Sequence, residues 1–173
     1  DSVAVKRAEH WQALTPTGPL ETRRVGPNVL VLDYLDLACG GKELMNAHYY
    51  AAGTFAFTQH GWKGNPWNHS VQFKDERIRM KFADDSGFSA TYRFSIEGEA
   101  PRELWAVVER PDLYSITCNG KAVQATAGKW WLDRSFGMID VAPAARTGEN
   151  VIVLRAQPFT MSHEIEAIYI LGD

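Results

Sequence analysis

FSATYRFSIE, residues Phe88 to Glu97, puts Phe88, Ala90, Tyr92 and Phe94 on one side of an extended chain and Ser89, Thr91, Arg93 and Ser95 on the other. Side chains alternate across a strand with a period of two, so the segment reads as a strand with one apolar and one wet face. Asp84-Asp85-Ser86-Gly87 before it and Gly98 to Pro101 after it are turn signals. Downstream, strand patterns recur at Leu104 to Glu109, Tyr114 to Cys118, Lys129 to Leu132, Met138 to Val141, Val151 to Ala156 and Glu164 to Leu171. Asn119-Gly120 is the strongest short hairpin signal a sequence offers. In the last segment Ile165, Ala167, Tyr169 and Leu171 alternate against Glu164, Glu166, Ile168 and Ile170. Short strands with turns at regular spacing argue for an all-β antiparallel sandwich of the jelly-roll type, not a parallel α/β sheet.

Upstream the pattern is mixed. Asn28 to Leu37, NVLVLDYLDL, reads as one strand, and Cys39-Gly40-Gly41 as a turn. Lys42 to Gln59 is the one helical stretch, with Leu44, Ala47, His48 and Ala51 near helical spacing, although Thr54 to Thr58 favours β structure. His60 to Asn68, HGWKGNPWN, is a loop. Val71 to Phe73 and Arg77 to Phe82 read as strands around the charged turn Lys74-Asp75-Glu76. Residues 1 to 27 carry Pro16, Pro19, Pro27 and the apolar anchor Trp11, and read as an edge strand or a strap on the body.

A chain of 173 residues suits one domain, and 45% hydrophobic residues can fill its core. The net charge of -3 supplies neither the basic footprint of a nucleic-acid binder nor a polybasic membrane patch. No apolar run reaches the length of a membrane span, and no signal-peptide pattern opens the chain. The abrupt start at Asp1 and the strand-like end read as a domain excised from a larger protein. Cys39 and Cys118 neither require nor exclude a disulfide, a buried free thiol being the plainer expectation for Cys118.

Trp105 to Asp173 resembles the galactose-binding-like sugar-binding domain of family 2 glycoside hydrolases and relatives such as α-L-rhamnosidases. The residues that carry the resemblance are Asn119-Gly120-Lys121, Trp130-Trp131-Leu132-Asp133, Ile139-Asp140-Val141, Thr147-Gly148-Glu149-Asn150 leading into Val151 to Leu154, and Glu164 to Asp173. The Asn-Gly-Lys hairpin and the Gly-Glu-Asn turn are the more diagnostic pair. Lys42 to Asn68 has no counterpart matched residue by residue. The resemblance implies a non-catalytic carbohydrate-binding module or a ligand-free accessory domain of a large glycoside hydrolase. Its partners would be a polysaccharide or oligosaccharide and the parent's catalytic domain, in a secreted, periplasmic or cell-surface location. Such modules also carry structural calcium; Asp33, Asp36, Asp84, Asp85 and Glu166 are the candidate ligands, each read equally well as a solvated turn acid.

Three kinds of chemistry bear on these residues. His163-Glu164 opens like a zinc-protease helix, but the second histidine position is Ala167, and His10, His48, His60 and His69 lack ligand spacing. Glycoside hydrolysis needs two carboxylates facing across a cleft, whereas Glu164 and Glu166 share one strand face and lie side by side. Serine-hydrolase, phosphate-loop and dinucleotide motifs are absent, so the isolated domain is not expected to be an enzyme. Sugar binding needs aromatic platforms with polar groups beside them, and the chain is 12% aromatic with six tryptophans. Trp62 and Trp67 share a loop with His60, Lys63, Asn65 and Asn68. Trp130 and Trp131 point to opposite faces of a strand, one a core anchor and the other outward, with Asp133 and Arg134 following. The structural alternative has the loop tryptophans capping the core and the outward one packing under the Lys42 to Asn68 region or a neighbouring domain. Trp105, Tyr92, Phe94 and Tyr169 read as core or interface.

Overall fold

The computed structural model describes residues 13–15, 17–68 and 75–172. Its eleven strands form two antiparallel sheets. One has five strands in the order β1 (Asn28–Leu32), β11 (Ile168–Gly172), β5 (Leu104–Glu109), β9 (Asp133–Asp140) and β8 (Ala125–Trp131). The other has six: β3 (Lys42–His48), β2 (Tyr34–Cys39), β4 (Phe88–Ile96), β10 (Gly148–Ala156), β6 (Ser115–Cys118) and β7 (Lys121–Val123). The helix α1 (Tyr49–Gln59) covers one end, and α2 (Asp75–Ile78) is a single turn. The core lies between the sheets. Phe88, Ala90, Tyr92 and Phe94 of β4 face it together with Ile152 and Leu154 of β10, Ala106 and Val108 of β5, and Ile168 and Ile170 of β11. The protein is therefore an all-β antiparallel sandwich, with one helix longer than a turn among the described residues.

Several boundaries differ from the sequence reading. Asn28 to Leu37 is two strands in different sheets: β1 pairs with β11 and β2 with β4, and the joint is fixed where the Tyr49 N–H donates to the Asp33 carbonyl at 2.8 Å. Lys42 to His48 is not helical. Gly40 and Gly41, at φ +60 and +73, make a hairpin that lays β3 back on β2, with Cys39 opposite Lys42 and Leu37 opposite Leu44. The helical spacing of Leu44 to Ala51 thus straddled a strand and the helix that follows it. Thr54 and Thr58 are helical, each hydroxyl donating to a carbonyl of its own helix, Tyr50 and Phe55.

Arg77 to Phe82 is no strand: the α2 turn ends at the exposed Ile78 and is followed by irregular chain, in which Phe82 reaches Phe159 while Met80 stays exposed. Val71 to Phe73 and Trp11 lie outside the described residues. From 17 to 27 the chain forms no strand, and Leu20 and Val25 are almost wholly exposed. It is therefore not a packed strap. Lys129 to Leu132 and Met138 to Val141 belong to the hairpin β8–β9, which reverses at Leu132 with φ +69. Cys39 and Cys118 are free and buried, with no disulfide.

Glu164 to Leu171 becomes a strand only at Ile168. Upstream, side chains replace the missing ladder. Tyr114 Oη donates to the Glu164 carbonyl and Tyr92 Oη to the Glu166 carbonyl, each at 2.7 Å. The inward set also changes phase, from Ile165 and Ala167 to Ile168 and Ile170, so a single alternation over eight residues does not hold.

Asn119-Gly120 and Gly148-Glu149-Asn150, distant in sequence, are bonded to each other. Asn119 and Gly120 both take positive φ, +50 and +79, as a two-residue hairpin turn requires. Asn119 Nδ2 donates to Asn150 Oδ1 at 2.8 Å and to the Ala144 carbonyl at 2.9 Å, and Asn119 Oδ1 accepts from the Val151 N–H at 2.9 Å. Asn150, fully buried, accepts from the Arg146 N–H at 2.9 Å and donates to the Arg146 and Gly148 carbonyls at 2.7 and 2.9 Å. Both donors and the oxygen of the fully buried Asn150 amide are bonded, which is what makes its burial tolerable.

Candidate functional site

Most of the loop His60 to Asn68 serves the fold. The His60 ring stacks on Phe159, centroids 3.8 Å apart and nearly parallel. Its Nδ1 lies 2.7 Å from the Ala56 carbonyl, which only accepts, so Nδ1 carries the proton; Nε2 accepts the Gly87 N–H at 3.2 Å. Gly87 is required there, because a Cβ would stand 2.0 Å from the Ala156 carbonyl oxygen. Trp62 packs on the core edge-on to Phe57, with the Arg77 guanidinium over its ring at 5.7 Å. Asn65 Oδ1 accepts the Trp67 N–H at 2.9 Å, and Asn68 Nδ2 donates to Thr54 Oγ1. His60, Trp62, Asn65 and Asn68 are therefore engaged within the fold, while Lys63 is exposed.

Trp67 is different. Its Nε1–H donates to the Met161 carbonyl at 2.8 Å, which fixes the ring, and the ring lines a cleft of about 290 Å³ with Glu109, Arg110, Tyr114, Ser135, Ser162 and Glu164. Four segments meet here: the loop before α2, the end of β5 with the turn after it, the start of β9, and the extended chain leading into β11. Arg110 sits at φ +45 and its guanidinium grips Asp112 through two bonds of 3.0 and 2.9 Å. That grip lowers the Asp112 pKa. The cation is thus already committed.

The acids at and beside the cleft crowd one another. Burial pushes the Glu166 carboxyl up to about 7, helped by the charges of Glu109 and Glu164. Burial and then Glu109 raise Glu164 as well. Burial, followed by the charges of Glu164, Glu109 and Glu166, drives the Tyr114 phenol upward, so it stays protonated and donating. The wall contains a tryptophan face, hydroxyls and the carboxyls of Glu109 and Glu164, with Glu166 near enough to feel both. This is a set that can hold a polyhydroxylated ring.

Trp130 and Trp131 are both outside the core. Trp130 is 50% exposed at the edge of the sheet. Trp131 packs on Tyr169, centroids 5.4 Å apart, on the face of the five-stranded sheet turned away from the core. The expected core anchor is missing because β8 is an edge strand, bulged before Trp130. Asp133 accepts the Ser135 N–H and hydroxyl at 2.7 and 2.6 Å, which lowers its pKa and orients the turn at the cleft. Arg134 is exposed beside it. Of the two regions singled out by sequence, the loop reaches the cleft through Trp67, whereas Trp130 to Arg134 stop one residue short of it at Ser135. Glu109, Arg110, Tyr114, Ser135 and Ser162 were missed. Glu109 did leave a signal, a charge closing the apolar run LWAVV.

Among the described residues, no three His, Cys, Asp or Glu side chains gather as a metal cage, so the five acids suggested for calcium are not brought together. Asp36, one of them, is held by the Asn46 N–H and by Arg93, which lower its pKa. No helix among these residues is long and apolar enough to cross a membrane. Compared with known proteins, the chain matches no family model and no curated protein.

Proposed function

We propose that the domain is a non-catalytic carbohydrate-binding module, carried by a glycoside hydrolase and holding its catalytic domain against a polysaccharide or oligosaccharide outside the cytoplasm. The observation that carries the reading is the cleft, where the fixed Trp67 ring meets Ser135, Ser162, Glu109 and Glu164. A sugar ring stacks its apolar face on the indole and gives its hydroxyls to the acids. A cleft of this size supplies modest affinity, which several modules in one parent raise by effective concentration. Affinity electrophoresis over a panel of polysaccharides, backed by a glycan array, tests it. Retardation on at least one glycan that is lost in Glu109→Gln and Ser135→Ala supports the module. Silence across the panel leaves the ligand-free accessory domain.

A second reading has its own observation. Glu166, near 7 beside the raised Glu164, is the kind of carboxyl that serves as a general acid. Reducing-sugar release by the isolated domain, abolished in Glu166→Gln, would replace binding by hydrolysis.

A further inference from the structure

Resting on the module reading, we infer that its ligand is a run of several sugar rings along a glycan chain, which leaves the cleft and lies on the outer face of the five-stranded sheet. The register puts Glu109 opposite Phe136, Val107 opposite Met138 and Tyr169, and Trp105 opposite Leu171 and Asp140. Residues directly opposite share a face, so β11, β5 and β9 present one continuous surface. None of these side chains belongs to the core between the sheets. Val107 and Leu171 are nonetheless fully buried, which makes them the floor of a second apolar layer. The rings of Trp105, Phe136, Tyr169 and Trp131 stand around that floor half-buried, with Tyr169 touching both Trp131 and Phe136.

Continuity with the cleft decides the occupant. Glu109 lines the cleft and also ends the row that begins at Trp105, four residues away along β5. At ~3.3 Å per residue the row is about 13 Å long, more than one sugar ring can span. Its far end opens into a hollow of about 530 Å³ bounded by Trp105, Met138, Leu171, Glu103 and Arg24. Polar groups accompany the rings along the way. The Lys129 ammonium stands over the Trp105 ring at 5.2 Å, and Asp140 lies opposite the same residue. Rings for the CH faces of sugars, interleaved with charged groups for their hydroxyls, suit a neutral glycan better than an aliphatic protein surface.

The test is calorimetric titration of the whole chain with glucose, xylose and mannose and with cellohexaose, xylohexaose and mannohexaose. At least one hexasaccharide should bind ~10-fold or more tighter than its monosaccharide. Trp105→Phe and Trp131→Ala should each erase that gain and leave monosaccharide binding at the cleft unchanged, with circular dichroism confirming the fold. If a monosaccharide and its hexasaccharide bind alike and neither variant matters, the extended site is refuted while the module stands. If no sugar binds, both fall. Self-association in sedimentation that Trp105→Phe abolishes, without any sugar response, assigns the face to a second copy and also overturns the inference.

Discussion

Replacing Asn150 tests whether the buried amide knot, rather than the sheets alone, holds the hairpin after β6 to the turn before β10. Asn150→Ala deletes four bonds at once: those from the Arg146 N–H and Asn119 Nδ2, and those to the Arg146 and Gly148 carbonyls. At about 1 kcal/mol each for neutral pairs the sum is ~4 kcal/mol; water reaching the Arg146 end recovers part of it, leaving about 3 kcal/mol. Urea unfolding followed by tryptophan fluorescence should show a midpoint about 1–2 M lower at unchanged slope, given ~2 kcal/mol per M for a small domain. Asn150→Asp sharpens the test. Its carboxylate keeps the two acceptor bonds but turns its second oxygen toward two carbonyls, so the folded state favours the protonated acid. The folded-state pKa then lies above the unfolded value of about 3.9, and the variant is closest to the parent below pH 4. The gap widens as pH rises through the folded-state value, opposite to the behaviour of a paired carboxylate. A loss under ~1 kcal/mol in Asn150→Ala, or a pH-independent loss in Asn150→Asp, would refute the knot.

Three further outcomes follow from buried groups. His163 accepts the Thr160 N–H at Nδ1 and faces the Leu113 carbonyl with Nε2, and burial lowers its pKa, so nitrogen NMR at pH 6.5 should find a neutral ring protonated on Nε2. Because the unfolded histidine takes up its proton near pH 6.5 and the folded one only below that, acid weakens this part of the fold from about pH 6.5 downward; an imidazolium at pH 6.5 would contradict the geometry. Glu166, raised to about 7, costs stability from about pH 4.5 upward, so Glu166→Gln should stabilise at pH 8 and be neutral near pH 4; equal effects at both would contradict the burial. Burial pushes the Cys39 thiol up to about 11, so iodoacetamide at pH 7.5 should label it only in urea, and rapid native labelling would contradict its place in the core.

The sandwich was legible where one face of a strand is dry and the other wet. In β4 the burial follows the alternation from Phe88 to Phe94 residue by residue. Reading failed where side chains stand in for ladder partners. Glu164 to Ala167 looks like strand because its alternation is real, yet its carbonyls go to Tyr92 and Tyr114, residues distant in the chain. It failed again at Lys42 to Ala51, where a strand and a helix abut and their periods add to a false helix. Within the site, composition marked the right loop but not the right residue. Trp62 and Trp67 are alike in sequence and both pack on the core, and only their partners, Arg77 and Phe57 for one and Met161 for the other, show which of them also lines the cleft.

The same substitution of side chain for ladder explains why the cleft lies where it does. A regular strand through Glu164 to Ala167 would pair its backbone with a neighbour and leave no opening at that end of β5. The tyrosine bonds instead fix two carbonyls of that segment, and the Leu113 carbonyl reached by His163 Nε2 fixes the turn after β5. One wall is therefore held by Tyr92 and by Tyr114, which itself lines the opening, and the other by His163. Glu109 and Glu164 both line that opening, and burial followed by Glu109 pushes the Glu164 carboxyl upward. Local charge repulsion is tolerated at one end of the sandwich while the core between the sheets supplies the stability. That separation leaves a rigid frame behind a mouth lined by two carboxyls, two serines and an indole.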